Sequence, residues 1–297
     1  MCMGVHMCTH TQVCLALEPL GPSLLDLIID FSYGGCPLPI VAHIMRDVLA
    51  GLDFLHKKCQ IVHTDVKPEN VLLCIPPTAA GGGSPSDWWE SNREGRGGAK
   101  EGNTQRLRKG WSGSWPAPQS FRAKLVDLGN ACPEARPLTD DIQTIEYRSP
   151  EVVLGAGFNA KADLWSAACM AFELITGEYL FDPQEGRDGQ DKSVVYTREE
   201  DLLALQQELL GPLPLDLSSK GRYFTRLMKE DGRLRRIPSL KFWKLEDVLV
   251  DKYCVPHAQA REISDFLLPM LRYDPDARAS AAEMLQHPWL LKHLERV

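Results

Sequence analysis

The run His63-Thr64-Asp65-Val66-Lys67-Pro68-Glu69-Asn70 sets a carboxylate, an ammonium and a carboxamide close together in the chain. Side chains of these types can share one piece of chemistry. A carboxylate orients a hydroxyl and accepts its proton, a cation steadies an anionic group, and a carboxamide oxygen joins carboxylates in holding a hard metal ion. A second carboxylate follows at Asp127-Leu128-Gly129. Taken singly it means little, because aspartates beside glycine are usually turn formers. Weight comes from the ordered set, which continues with Glu151 after Ser149-Pro150, Asp163 before Leu164-Trp165-Ser166, and Arg278 after Asp276-Ala277. At the N-terminus Cys2, His6, Cys8 and His10 have the ligand types of a metal site, but their spacing fits no known zinc module and no site is expected there.

These residues need a scaffold to bring them together. Residues 11–18 are β-prone and stop at Pro19, after which Leu24, Leu25, Leu27 and Ile28 open a short helix. From Pro39, Val41, Ile44, Met45, Val48, Leu52 and Leu55 recur every three to four residues, which predicts a long helix with one buried face. It is expected to end near Lys57-Lys58, where cations suit the helix dipole. Between 75 and 120 the composition turns to Gly, Ser, Arg, Lys and Asn with no apolar period, and the stretch reads as a disordered spacer. Ala123-Lys124-Leu125-Val126 reads as a strand, and helices are expected over 159–177, 199–210, 243–253, 259–272 and 280–286. Ile263, Phe266, Leu267, Met270 and Leu271 form a core-facing stripe.

At 297 residues and 44% hydrophobic content the chain can bury a substantial core. It contains no apolar run of the roughly 18 residues a membrane span needs, and no signal-peptide pattern. Nine scattered cysteines without a C-x-x-C pair fit reduced thiols in a soluble intracellular protein. A formal net charge of −7 argues against nucleic acid as a direct partner and suits a basic peptide.

The segment Ile61 to Asn70, followed by Val71-Leu72-Leu73, resembles the catalytic loop of protein kinases, with its H-x-D-x-K-x-x-N pattern. The resemblance implies that Asp65 orients the hydroxyl and accepts its proton, Lys67 steadies the γ-phosphate of ATP, and Asn70 with Asp127 holds Mg2+. It further implies an ion pair of Glu151 with Arg278, and anchoring of the catalytic loop, which begins at His63, by Asp163. The hinge would be Glu18-Pro19-Leu20, with adenine meeting the Glu18 carbonyl and the Leu20 amide and Leu17 as gatekeeper. Gly51-Leu52-Asp53-Phe54-Leu55-His56, His63-Thr64-Asp65, Asp127 to Cys132, Ile142-Gln143-Thr144, Ala168 to Leu174 and His287-Pro288-Trp289-Leu290 are similar to the SR-protein kinases, which phosphorylate serines of Arg/Ser-rich splicing proteins. Those kinases carry a divergent spacer where 75–120 lies. The implied fold is α+β and protein-kinase-like: a mainly helical C-lobe with a remnant of the N-lobe sheet. It divides as remnant and hinge at 1–20, first C-lobe part at 21–74, spacer at 75–120 and remaining C-lobe at 121–297.

Thr64, in place of the arginine that elsewhere awaits a phosphorylated loop, implies geometry independent of phosphate. Glu199, Glu200 and Asp201 resemble the family's acidic docking segment, where carboxylates would pair with arginines of the substrate. They also suit a helix N-terminus, and both readings stand. Ile145 stands where the family has Arg, and Pro133 where it has Trp, which weakens the inference of peptide preference. No glycine-rich loop, V-A-I-K lysine or αC glutamate is found upstream of the hinge. A truncated kinase with little or no turnover is therefore expected, with a non-catalytic module binding Arg/Ser segments as the alternative. The expected setting is monomeric, cytoplasmic and nuclear.

Overall fold

The computed structural model describes residues 4–7, 13–74 and 121–295, so the spacer read at 75–120 lies outside the described residues, as do Cys2, Cys8 and His10. Strand β1 (Gly4–Met7) pairs antiparallel with β2 (Val13–Ala16), Gly4 opposite Ala16. β2 is the core of the strand expected at 11–18, whereas its partner β1 was not foreseen. Helix α1 (Leu24–Asp30) starts at a capping box, in which the Ser23 hydroxyl accepts the Asp26 N–H and the Asp26 carboxylate accepts the Ser23 N–H.

Helix α2 (Leu38–Phe54) buries Ile40, Val41, Ile44, Met45, Val48, Leu49 and Leu52, the face expected from their spacing. It does not run on as an α-helix to Lys58. The turn Leu55–Cys59 is π-helical and ends at Gln60, whose φ is +54°. The chain then makes β3 (Ile61–Val62), a 3₁₀ turn over Pro68–Asn70 and β4 (Val71–Cys74). β4 pairs antiparallel with β5 (Arg122–Leu125), Val71 opposite Leu125, and β3 pairs with β6 (Cys132–Pro133). Two strands far apart in sequence are thus zipped on either side of the two motif loops.

The remaining core is helical: α3 (Pro150–Leu154), α4 (Ala162–Thr176), α5 (Arg198–Leu210), α6 (Leu245–Asp251), α7 (His257–Leu267), α8 (Ala281–Leu285) and α9 (Pro288–Leu294). Every residue of α4 is buried, as befits a helix apolar nearly all round. α2 packs against α4, β5, α8 and α9. The helix expected over 259–272 breaks into a 3₁₀ turn at Leu268–Leu271, because Pro269 has no N–H to offer an α-helix. The architecture is α+β and mainly helical, and among the described residues no helix is long and apolar enough to cross a membrane.

Candidate active site

The loop between β3 and β4 is fixed from three sides. The His63 imidazole, fully buried, donates from Nε2 to the Val126 carbonyl at 2.9 Å, and its Nδ1 accepts the Asp65 N–H at 3.3 Å. Thr64 holds a left-handed φ of +72°, a costly conformation for a β-branched residue. Its strain is offset by its surroundings: the amides of His63 and Thr64 donate to the two oxygens of Asp163 at 2.8 and 2.9 Å, and the Thr64 hydroxyl donates to the Asn130 carbonyl at 3.0 Å. The loop therefore leaves β3 in one defined direction.

That direction delivers Asp65 into a polar network. Its Oδ1 accepts the Thr144 hydroxyl at 2.7 Å, while Oδ2 meets Lys67 Nζ at 2.8 Å and Asn70 Nδ2 at 3.1 Å. Lys67 Nζ also donates to Thr144 Oγ1 at 2.9 Å, and Asn70 Nδ2 to the Asp65 carbonyl at 2.8 Å. Burial pushes the Asp65 carboxyl up, but Lys67, Thr144 and Asn70 together outweigh it and hold the group below the usual carboxylate range. The group stays ionised and able to accept a hydrogen bond.

Asn70 is joined to Asp127 through the sheet. The Val126 amide donates to the Asn70 carbonyl at 3.0 Å, extending the β4–β5 ladder by one bond, and Asp127 follows directly with φ at +61°. Its carboxylate is exposed and accepts the Gly129 N–H at 3.3 Å. Asp65, Lys67, Asn70 and Asp127 are therefore gathered at the end of one two-stranded sheet. Because the Asn70 amide nitrogen faces Asp65, its oxygen is left for another partner. A carboxamide oxygen beside a carboxylate fits Mg2+, which keeps much of its coordination for water and phosphate. Among the described residues no trio of His, Cys, Asp or Glu could cage a metal alone.

The segment read as the hinge leads beside the same sheet: the Gly21 amide donates to the Leu73 carbonyl at 2.7 Å and the Leu73 amide to the Pro22 carbonyl at 2.9 Å. Leu17 is exposed, Leu20 is half-buried, and the Glu18 carboxylate grips Lys124 Nζ with both oxygens at 2.7 and 2.8 Å. Among the described residues neither the Glu18 carbonyl nor the Leu20 amide has a backbone partner.

Two supports lie further out. Arg278 and Glu151 form a two-pronged ion pair at 2.7 and 2.8 Å, with side chains 0% and 1% exposed. Gln143, buried at φ +70°, ties its amide N–H to the Thr64 carbonyl, accepts the Ser149 N–H and hydroxyl, and donates to the Ala162 carbonyl and Ser166 Oγ. A neutral carboxamide, with Arg148 paired to Asp141 at 3.1 Å, holds this segment.

The docking expectation needs correction at Glu200. That side chain is 2% exposed and closes the capping box of α5, where it accepts the Thr197 N–H at 3.0 Å and meets Arg236 at 3.3 Å. It serves as a helix cap and has no surface for an arriving arginine. Asp201 accepts the Gln184 N–H at 2.8 Å, and Glu199 is the one of the three with no partner among the described residues. Ile145 packs against the core, and Pro133 ends β6.

Thr144 and His56 belong to the site and carried no assigned role in the sequence reading. Thr144 meets Asp65 from 79 positions away, and His56 Nε2 meets Asp163 at 2.8 Å from 107 positions away. Only their place in motif-like stretches marked them.

The protein kinase domain family matches residues 117–290. A Physarum polycephalum protein named serine/threonine-protein kinase SRPK is 41% identical over 300 aligned residues, covering 94% of this chain and 67% of that one. Mouse SRSF protein kinase 3 is 34% identical, with 97% of this chain and 72% of the relative covered. Protein kinase dsk1 of Schizosaccharomyces pombe is 34% identical, with 94% and 65% covered. Protein kinase domains generally use ATP and a divalent metal. The chain belongs to the SRPK family of serine/threonine protein kinases.

Proposed function

We propose that the site transfers the γ-phosphate of ATP to serine hydroxyls of Arg/Ser-rich proteins, with Mg2+ as the metal. The observation that carries this reading is the Asp65 carboxylate, held ionised between Lys67, Thr144 and Asn70, beside the strand that ends in Asp127. Asp65 orients the serine hydroxyl and takes its proton as the oxygen attacks, and Lys67 steadies the phosphoryl group as its bond to the leaving oxygen breaks. Asn70 and Asp127 would hold Mg2+, which when bound neutralises phosphate charge. The Glu18 carbonyl and Leu20 amide would fix adenine, beside Leu17.

Support for the substrate class is twofold. The mouse relative is by name a kinase of SRSF proteins. The net charge of −7 and the half-buried Glu199 carboxylate, unpaired among the described residues, favour arginine-rich segments, with the cytoplasm and nucleus as the setting.

Radiolabelled ATP, an Arg-Ser peptide and the purified chain test this. Mg2+-dependent serine phosphorylation that falls by about 10²-fold or more in Asp65→Asn is the expected result. Transfer that persists in Asp65→Asn would contradict the assignment of the base.

A further inference from the structure

Charge is distributed unevenly along the chain. From Ser219 to Ile237 seven Lys and Arg residues stand against two carboxylates, Glu230 and Asp231, in a molecule whose net charge is −7. All seven except Lys229 are exposed. A run of like charge is ordinarily no more than a solvated face, with each side chain free to move away from its neighbours.

Here three of the guanidiniums are instead fixed around one short stretch of backbone. Arg222 and Arg226 lie over the ring of Tyr223, at 4.8 and 4.7 Å from its centroid, and Arg222 Nη2 donates to the Tyr223 hydroxyl at 2.9 Å. Arg235 Nε donates to the Thr225 carbonyl at 2.6 Å, and the Arg235 amide to the Leu227 carbonyl at 3.0 Å. The backbone beneath them is anchored to the end of α3: the amides of Arg222 and Tyr223 donate to the carbonyls of Gly155 and Leu154 at 3.1 and 2.9 Å, and a Cβ on Gly221 would lie 2.6 Å from the Leu154 carbonyl oxygen. Like charges held side by side repel one another, and neither a ring nor a carbonyl cancels a full charge. Arg222 has Asp140 at 3.3 Å, with both side chains more than half exposed, whereas Arg226 and Arg235 have no carboxylate partner among the described residues. A guanidinium presents a planar fork of N–H groups that matches a carboxylate bidentately, and one already held in place loses little freedom when an anion arrives.

We propose that Arg222, Arg226 and Arg235 form a docking surface for a short Asp/Glu-rich segment of a partner protein. Charge complementarity selects an anion, and two further observations favour a peptide over nucleic acid. The Tyr223 ring is already taken by guanidiniums and Phe224 packs against the core, so bases find no platform on which to stack. The chain outside this stretch is more negative than the molecule as a whole, which repels a long polyanion, while a short segment lying within a Debye length of about 8 Å feels chiefly the local cations. The surface does not depend on reading 63–70 as the catalytic loop.

Fluorescence polarisation of a labelled Glu-rich peptide of about a dozen residues, titrated with the full chain, tests this. Arg226→Glu combined with Arg235→Glu is expected to weaken binding by about tenfold or more, whereas Lys57→Glu combined with Lys58→Glu, the same charge change on exposed residues elsewhere, should alter it by no more than about twofold. No binding of the peptide, an equal loss in both double variants, or tighter binding of a single-stranded oligouridylate of the same length would overturn the proposal. Should the glutamate variant fail to fold, Arg222→Gln combined with Arg226→Gln removes two cations without adding a charge and is expected to weaken binding by about threefold or more. Unchanged affinity in that variant, or failure of both variants to fold, would overturn the proposal as well.

Discussion

Ionisation at single residues separates the chemistry from its support. Asp65 is half-buried and held ionised by its donors, whereas Glu173 is buried with much weaker compensation. Burial pushes the Glu173 carboxyl up to about 7, against the downward pull of the Tyr147 O–H that donates to it at 2.5 Å, and the nearby carboxylates Glu69 and Glu146 push it further up. The folded state therefore keeps a proton on Glu173 at pH values where the unfolded chain has released it. Stability contributed by this group is greatest below the unfolded value of 4.5 and falls as pH rises towards about 7, by an upper limit of about 3 kcal/mol. Glu173→Gln keeps an oxygen for Tyr147 and cannot ionise, so urea midpoints measured from pH 5 to 8 should lose that slope; a slope equal to the native one would contradict the account. At this scale the sequence was partly legible. Asp65, Lys67 and Asn70 sit in one local loop whose spacing can be read directly, but Thr144 and His56 reach the site only through the tertiary fold, and no local pattern distinguishes them from ordinary polar residues.

Elements position the site through a few tight approaches. The loop after α1 lies against the C-terminus of α4, where the Cys36 amide donates to the Leu174 carbonyl at 2.7 Å. Gly177 adopts φ +84°, and a Cβ there would lie 2.1 Å from the Tyr33 carbonyl oxygen. Neither the turn nor the neighbouring backbone can yield, so Gly177→Ala should cost more than about 2 kcal/mol in urea unfolding. Gly157, also left-handed at +82° but facing open space, is the control: its alanine variant should cost only about 1 kcal/mol, from backbone strain alone. Equal costs at the two positions would refute the close-approach explanation. The periodicity of α2 disclosed its buried face because one stripe of aliphatic residues faces the core. Its π-helical end was not legible, since no local pattern in Leu55–Cys59 marks the widening and the residues on either side of it meet Asp163 only in the tertiary fold. Short strands were equally difficult: β1 has four residues and little alternation, and only its pairing with β2 defines it.

Across the whole molecule, groups remote in sequence are locked in pairs around the site: Glu151 with Arg278, Asp163 with His56 and the loop amides, β4 with β5. The Glu151–Arg278 pair is buried on both sides, and each charge depends on the other to remain there. These long-range pairings convert a set of ordered motifs into one constellation, and family resemblance made that order readable where physical patterning alone would have given only a helical domain with several polar loops. The constellation makes a direct claim about nucleotide binding, because the role proposed for Asn70 and Asp127 is to give oxygen to a metal that accompanies phosphate. NMR titration of the ¹⁵N-labelled chain with ATP reads this even at weak affinity. Mg2+ with ATP should shift amides in Val66–Leu72 and Val126–Asn130, ATP without Mg2+ should shift them far less, and Asp127→Asn should abolish the difference. Mg2+-dependent shifts confined to other parts of the chain, or retained unchanged in Asp127→Asn, would contradict the assignment of the site.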